Sequence, residues 1–136
     1  MVINLNIKVE FFQDDLIQAI GAGIYEISID QNNRSEVVYI GESVFVLVRC
    51  ASHLYELKKK PAYLGFTDKT IDNPGITLKF SLIEKNSDNA SRKKRELELI
   101  KEKKPLSQNG INDRMKNVED KIEALTQFLN DNNEIR

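Results

Sequence analysis

Several side chains capable of acid–base or phosphate chemistry follow one another at defined spacings. Residues 23–25 (Gly-Ile-Tyr) and 39–41 (Tyr-Ile-Gly) each place a tyrosine beside an isoleucine and a glycine. Arg49 lies eight positions after the second tripeptide, and His53, the only histidine, lies four positions after Arg49. Because residues i and i+4 are neighbours on one face of a helix, a helix over this stretch presents Arg49 and His53 together.

Side chains of these types can hydrolyse a phosphodiester, which needs a nucleophilic water and stabilisation of charge on the phosphoryl oxygens. Arg49 can bind phosphate through two hydrogen bonds, and Glu96 can hold a hard cation such as Mg²⁺. Tyr25 or Tyr39 can deprotonate the water if nearby cationic charge lowers its pKa, and His53 can relay the proton. The structural alternative is that the tyrosines pack in a sheet, the histidine hydrogen-bonds, and the charged residues lie on helix surfaces.

The spacing of these residues resembles the pattern of the GIY-YIG nuclease family. In that family an arginine follows the second tripeptide by eight positions, many members have a histidine four further on, and a glutamate lies on a later helix. Glu96, the apolar pair at 99–100 and Pro105 match the rest of the pattern. The resemblance runs from Gly23 to about Gln108.

The resemblance implies a DNA endonuclease that uses Mg²⁺ or Mn²⁺. Its catalytic residues would be Tyr25, Tyr39, Arg49, His53 and Glu96, with Glu96 as the metal ligand. Tyr25 is slightly favoured over Tyr39 as the base. The implied fold is α+β: a small three-stranded antiparallel sheet flanked by helices, here with an extra N-terminal strand and helix and a C-terminal amphipathic helix.

The chain departs from the family pattern at the end of the second tripeptide. Glu42 follows it, whereas members commonly have lysine or a small residue there, and an acid is unfavourable beside a phosphate. Ser43 is then the candidate phosphate contact. Gln108 and Asn109 stand in the stretch where many members have an asparagine.

Charge is unevenly distributed along the chain, although the formal net charge is only −1. The segment 92–104 carries seven basic and three acidic residues, a local net of +4. Such a segment is as often a solvated helix face as a nucleic-acid surface. The predicted DNA contacts, beside Ser43, are Lys58, Lys60, Arg92 and Lys93.

Hydrophobic periodicity predicts the elements that must position these residues. Residues 44–48 are rich in β-branched side chains and suit a strand, but apolar residues three and four apart favour a helix. The predicted order is a strand over 2–10, a short helix from Asp14 or Asp15 to Ile20, a hairpin of strands 23–29 and 37–40 around a turn at 31–35, a helix over 43–59, a loop over 61–75, a strand over 76–83, and helices over 90–103 and 116–129.

Length and composition favour one domain over residues 1–136, with a catalytic core over 22–108 and an accessory helix over 113–132. Cys50 is the only cysteine, and no stretch is apolar and long enough to span a bilayer, so a cytoplasmic location is expected. DNA is the expected partner, and a homodimer is possible. The alternatives are a catalytically silent domain of the same family that binds DNA or protein, and a small-molecule binding protein.

Overall fold

The computed structural model describes residues 6–67, 69–106, 122, 125–126 and 128–129. The elements are β1 (Lys8–Phe11), β2 (Gly23–Gln31), β3 (Arg34–Ser43), α1 (Val46–Lys59), two 3₁₀ helices (Pro61–Leu64 and Thr70–Asp72), β4 (Thr77–Lys85) and α2 (Asn89–Lys103). The four strands form one sheet in the order β1-β4-β2-β3. The α+β class is confirmed.

The prediction of a three-stranded antiparallel sheet is wrong in strand number and partly in direction. The N-terminal strand β1 joins the sheet edge parallel to β4, with Lys8 opposite Thr77 and Phe11 opposite Phe80. Ladder hydrogen bonds and the tilted contact of the Phe11 and Phe80 rings, with centroids 5.2 Å apart, hold it there. A parallel partner far along the chain leaves no local signal in the sequence.

The hairpin of β2 and β3 is tighter than the turn predicted over 31–35. Its strands pair up to Gln31 opposite Arg34, leaving only Asn32 and Asn33 in the turn. Both asparagines have positive φ angles, 53° and 64°. Two consecutive residues in this left-handed region form the type I′ turn that matches the twist of a hairpin, and asparagine tolerates it.

The predicted helix from Asp14 or Asp15 to Ile20 is wrong, because residues 13–19 form a series of turns. The Asp15 carboxylate accepts a hydrogen bond from the Leu82 backbone N–H at 2.9 Å instead of capping a helix. Phe12, just before, has a φ of 52° and is buried. This segment is therefore fixed by contacts with β4 rather than by its own helical periodicity.

Both predicted central helices form, with small differences at their ends. Residues 44 and 45 are a bend, so the helix predicted to begin at Ser43 begins at Val46. The Ser43 hydroxyl accepts a hydrogen bond from the Phe45 backbone N–H at 2.9 Å where the chain leaves β3. Asp88 caps α2 by accepting from the Ser91 N–H. No helix in the described part of the chain is long and apolar enough to cross a membrane.

The helices pack on opposite faces of the sheet, because successive strand side chains point to opposite sides. Tyr25, Tyr39 and Cys50 belong to the main core between the sheet and α1. A smaller cluster centred on Ile24, Ile40 and Leu99 lies under α2. The pairing of β2 with β3 shifts register between Ile27 and Ser28, and such a bulge re-aims side chains.

The segment predicted as a loop over 61–75 holds the two 3₁₀ helices and sends three side chains into the main core. These are Leu64, Phe66 and Ile71. Of the predicted final helix, Ile122, Leu125, Thr126, Phe128 and Leu129 are described and helical, and Leu125, Phe128 and Leu129 lie in the same core. The rest of that helix, including Val118, lies outside the described residues.

Arg92 joins α2 to β3 through a buried ion pair. Its guanidinium, 2% exposed, donates from Nε to Glu42 at 2.7 Å. The remaining donors reach the Asn86 carbonyl at 3.1 Å and Asn89 Oδ1 at 2.8 Å. A buried guanidinium with this many partners is costly to expose and costly to leave unpaired.

We expect Arg92→Met to lower the free energy of unfolding by about 3 kcal/mol, because Glu42 would lose its cation in a largely buried site. The matched control is Arg95→Met on the same helix. The Arg95 side chain is 41% exposed and that of its partner Glu84 is 34% exposed. That control should lose less than about 1 kcal/mol, as exposed pairs do. Urea unfolding measures both, and equal losses would contradict the structural role of Arg92.

Candidate active site

A cavity of about 420 Å³ lies between α1 and α2 beside the C-terminal end of β3. Its lining residues are Tyr39, Glu42, Arg49, Lys93, Glu96 and Leu97. Three of the five predicted catalytic residues therefore face one cavity. They come from a strand and two helices separated by up to 57 positions, from Tyr39 to Glu96.

Tyr25 lies behind this cavity and has no exposed surface. Its hydroxyl is 2.7 Å from His53 Nε2. The side chain crosses directly over Gly41 on the neighbouring strand, where an added Cβ would overlap the Tyr25 hydroxyl and lie 2.9 Å from Tyr39 Cε2. Glycine is therefore required at position 41 by the close approach of two tyrosines, and not by its backbone angles.

His53 is fully buried and hydrogen-bonded through both ring nitrogens. Nε2 meets Tyr25, and Nδ1 is 2.9 Å from the hydroxyl of Tyr63. The ring also contacts Tyr39 edge-on, with centroids 5.1 Å apart. Helix α1 thus places His53 among three tyrosines, one turn beyond Arg49.

Burial controls the protonation of this cluster. It lowers the pKa of His53 to about 3, and the positive charge of Arg49 adds to the effect. Burial also raises the pKa of Tyr25 well above its usual value, and the neighbouring Tyr39 acts in the same direction. At neutral pH the imidazole and the phenol are therefore both uncharged.

Arg49 connects the cavity to the buried tyrosines. Burial disfavours its charged form, but the combined influence of Tyr25, Tyr63 and Tyr39 outweighs this and raises the pKa of Arg49. A side-chain hydrogen bond to Tyr25 contributes, and Arg49 also interacts with the Tyr63 hydroxyl. The guanidinium stays charged and half-buried at the cavity wall, where it can bind an anion.

Glu96 is held at the cavity by the backbone of β3. Its carboxylate accepts a hydrogen bond from the Glu42 backbone N–H, which lowers the Glu96 pKa. Burial and the charge of Glu42 act more strongly in the opposite direction, so the pKa of Glu96 is raised. Among the described strands β3 lies at the edge of the sheet, so the N–H groups on its outer side are not paired within that sheet, and one of them can donate to Glu96.

Glu96 is the residue of this cavity suited to a divalent cation. Mg²⁺ retains several waters and takes one or two protein carboxylates, so a single glutamate beside a phosphate site is a suitable ligand. Glu42 also lines the cavity, but its side chain is paired with Arg92. Within the described residues no group of three or more histidine, cysteine, aspartate or glutamate side chains is placed to hold a metal.

The predicted DNA contacts differ in their accessibility. Lys93 is exposed and lines the cavity, and Ser43 is half-buried where β3 ends. Lys58 and Lys60 are exposed at the far end of α1. Lys58 lies nine positions after Arg49 on this helix, or about 14 Å along the axis. Arg92 is not available to a phosphate, because its guanidinium is enclosed by protein partners.

Two residues of the site had no functional assignment from the sequence. Tyr63 lies in the segment predicted as a loop, ten positions after its partner His53, and no periodicity links them. The main-chain N–H of Glu42 supports Glu96, although the acidic side chain suggested a disadvantage. One indication of the packing at this site was present in the sequence, at Gly41, because a glycine in a strand can mark the close approach of another part of the chain.

Comparisons of the chain with protein-family models, with curated proteins and with solved structures found no match.

We expect His53 to remain neutral far below its ordinary pKa. Its Cε1–H resonance, the only one of its kind in the chain, should not titrate between about pH 8 and about pH 4.5, whereas unfolded protein in urea should titrate near 6.5. As pH falls, the unfolded chain therefore protonates His53 at a higher pH than the folded protein does. The free energy of unfolding should fall as pH drops from about 6.5 towards about 3. A midpoint near 6.5 in the folded protein would contradict the buried placement.

Gly41→Ala should displace Tyr25, because the new methyl group would occupy the position of its hydroxyl. Overpacking of this kind lowers the free energy of unfolding by about 1–3 kcal/mol. The matched control is Gly75→Ala, where the one neighbour within 4 Å of an added Cβ is Asn73 Oδ1, at 3.2 Å. Urea unfolding of both variants tests this, and unchanged stability in Gly41→Ala would refute the close packing.

Proposed function

We propose that the protein is a metal-dependent DNA endonuclease that hydrolyses phosphodiester bonds in the cavity between α1 and α2. The observation that carries the proposal is the convergence of Tyr39, Arg49 and Glu96 on one cavity, with Tyr25 and His53 hydrogen-bonded behind it. A phosphate-binding cation, a carboxylate and proton-transfer groups are what this reaction requires. The same five residues carry the resemblance to the GIY-YIG nucleases.

Arg49 binds the scissile phosphate in this proposal. Its guanidinium stays charged and can form two hydrogen bonds to phosphoryl oxygens, which gain negative charge in the transition state. Without substrate the guanidinium interacts with Tyr25 and Tyr63. Turning towards a phosphate would uncover the Tyr25 hydroxyl, which is otherwise fully buried, and give the cavity access to it.

Glu96 holds Mg²⁺ or Mn²⁺, and the ion, when bound, neutralises charge on the phosphate and makes a coordinated water more acidic. The Glu42 N–H fixes the orientation of the carboxylate before substrate arrives. A nearby cation also favours the ionised form of Glu96, which counteracts the effect of burial on its pKa. The position and the negative charge of the Glu96 side chain therefore suit the binding of one divalent cation.

Tyr25 accepts the proton of the attacking water, and Tyr39, at the cavity wall, positions the water or the phosphate. Tyr25 is favoured as the base because its hydroxyl lies 2.7 Å from His53 Nε2, which can accept its proton. Proton transfer to a positioned group contributes about 10²- to 10⁴-fold in rate.

The exposed lysines provide the sequence-independent attraction to DNA. Lys93 lies at the cavity, so it can contact the scissile phosphate or its neighbour. Lys58 and Lys60 reach phosphates further along the backbone from the end of α1. Each such contact releases counterions, so binding should weaken as salt increases.

A second candidate is a DNA-binding domain without catalysis. The observation that favours it is the complete burial of Tyr25 and His53 in the absence of substrate. Incubation with supercoiled plasmid and with branched DNA, in Mg²⁺, Mn²⁺ or EDTA, separates the two. Metal-dependent nicking or linearisation supports the nuclease, and binding without cleavage in any metal supports the second candidate.

Glu96→Gln should reduce metal-dependent cleavage by roughly 10³-fold or more, because the amide keeps the shape but removes the charge that holds the ion. DNA affinity should be unchanged or higher, since a negative charge near the phosphates is lost. The matched control is Glu98→Gln, an exposed carboxylate on the same helix, which should cleave normally.

Arg49→Ala provides the comparison for this prediction: it should lose cleavage and also bind DNA more weakly, because a direct phosphate contact is removed. Single-turnover cleavage and fluorescence anisotropy measure the two effects. Near-normal cleavage by folded Glu96→Gln would eliminate Glu96 as the metal ligand.

A further inference from the structure

Three hydrogen-bonding groups form a continuous chain behind the cavity wall to which Arg49 contributes. The Tyr25 hydroxyl is 2.7 Å from His53 Nε2, and His53 Nδ1 is 2.9 Å from the Tyr63 hydroxyl. The two inner groups have no exposed surface, whereas Tyr63 is half-buried. Arg49 interacts with the hydroxyls at both ends of the chain, and of the three groups only Tyr63 belongs to a side chain that reaches solvent.

A neutral imidazole can carry a proton through this chain. One ring nitrogen bears a hydrogen and donates, while the other accepts. With the hydrogen on Nδ1, Tyr25 donates to Nε2 and His53 donates to Tyr63, so that all donors point from the cavity towards the surface. In this tautomer each group can pass one proton outward and receive one from the cavity side.

We propose that Tyr63 is the outlet of a proton relay that runs from Tyr25 through His53 and serves the phosphodiester hydrolysis proposed above. As the water oxygen bonds to phosphorus, the bond from phosphorus to the leaving oxygen breaks, and the leaving alkoxide takes a proton from solvent. The proton of the attacking water moves to the Tyr25 oxygen, and the Tyr25 proton moves to His53 Nε2. The Nδ1 proton then moves to Tyr63, which releases its own proton to solvent. Every bond to hydrogen that breaks is replaced, and no group in the relay keeps a charge.

The environment of the inner groups explains why an outlet is needed. Burial lowers the pKa of His53 to about 3, so the imidazole cannot store the proton as a cation. Burial likewise raises the pKa of Tyr25, so an isolated phenolate is unfavourable there. Neither group can hold a charge in the interior. The proton that Tyr25 gives up when it acts as the base must therefore pass through His53 to a further acceptor.

The backbone around Tyr63 keeps the outlet in place. Pro61 begins the 3₁₀ helix that carries Tyr63, and the Tyr63 N–H donates to the Lys60 carbonyl at 3.0 Å. Gly65 ends this helix with a φ of 97°, in the left-handed region that glycine tolerates. Burial raises the pKa of the Tyr63 hydroxyl, and the charge of Glu56, three positions after His53 on α1, acts in the same direction.

The ground-state direction of the relay can be measured without any nuclease assay. Because His53 is the only histidine, its two ring ¹⁵N resonances are unambiguous in the full-length protein. The proposal requires hydrogen on Nδ1 and a bare Nε2 at neutral pH. Hydrogen on Nε2 would mean that His53 donates to Tyr25, and this result would overturn the relay.

Tyr63→Phe tests the outlet, since it removes one oxygen and leaves the ring. Single-turnover cleavage should slow roughly 10- to 100-fold. The proton inventory in mixed H₂O and D₂O should be curved in the unmodified protein, where several protons move together, and linear in the variant. Tyr55→Phe is the matched control, because Tyr55 lies on α1 and is 62% exposed.

The outcomes separate the relay from the nuclease function. Two results would overturn the relay and leave the nuclease function in place. One is cleavage with a linear proton inventory in the unmodified protein. The other is an unaltered cleavage rate and proton inventory in folded Tyr63→Phe. No cleavage with any metal would overturn the nuclease function and, with it, the catalytic role of the relay. In that case an Nδ1–H tautomer would still establish the hydrogen-bonded chain.

Discussion

The packing of Tyr25 over the Cα of Gly41 is the contact on which the rest of the site depends. It lets the tyrosine cross from β2 to β3 without a side chain between them, so that the hydroxyl reaches His53. His53 in turn lies beside Tyr39 and Tyr63, and Arg49 lies one turn earlier on α1. A methyl group at position 41 would therefore affect every member of the cluster, although Gly41 itself performs no chemistry.

The edge position of β3 is the second constraint on the site. An edge strand offers main-chain groups on its outer side, and here a neighbouring helix uses them: the Glu42 N–H holds Glu96, while the Glu42 side chain holds Arg92. One residue thereby fixes α2 to the sheet and orients the proposed metal ligand.

Local patterns in the sequence were sufficient to predict the elements whose own residues show a clear hydrophobic period. The spacing of apolar residues over 46–59 identified α1 against its β-branched start, and alternation identified the hairpin. Contacts between distant segments were not predictable in this way. The parallel pairing of β1, the bond from Asp15 to Leu82 and the meeting of His53 with Tyr63 all join residues whose local sequence carries no sign of the partner. The burial of Arg92 was not predictable either, because the basic segment 92–104 does not reveal which of its side chains faces inward.

The pair formed by Glu42 and Arg92 makes two positions evolutionarily interdependent. If position 42 held lysine, Arg92 would face a like charge in a buried site, so a change at either position requires a matching change at the other. The two positions are therefore expected to covary among relatives of this chain. Acid at 42 should accompany arginine at 92, and lysine or a small residue at 42 should accompany an uncharged residue at 92.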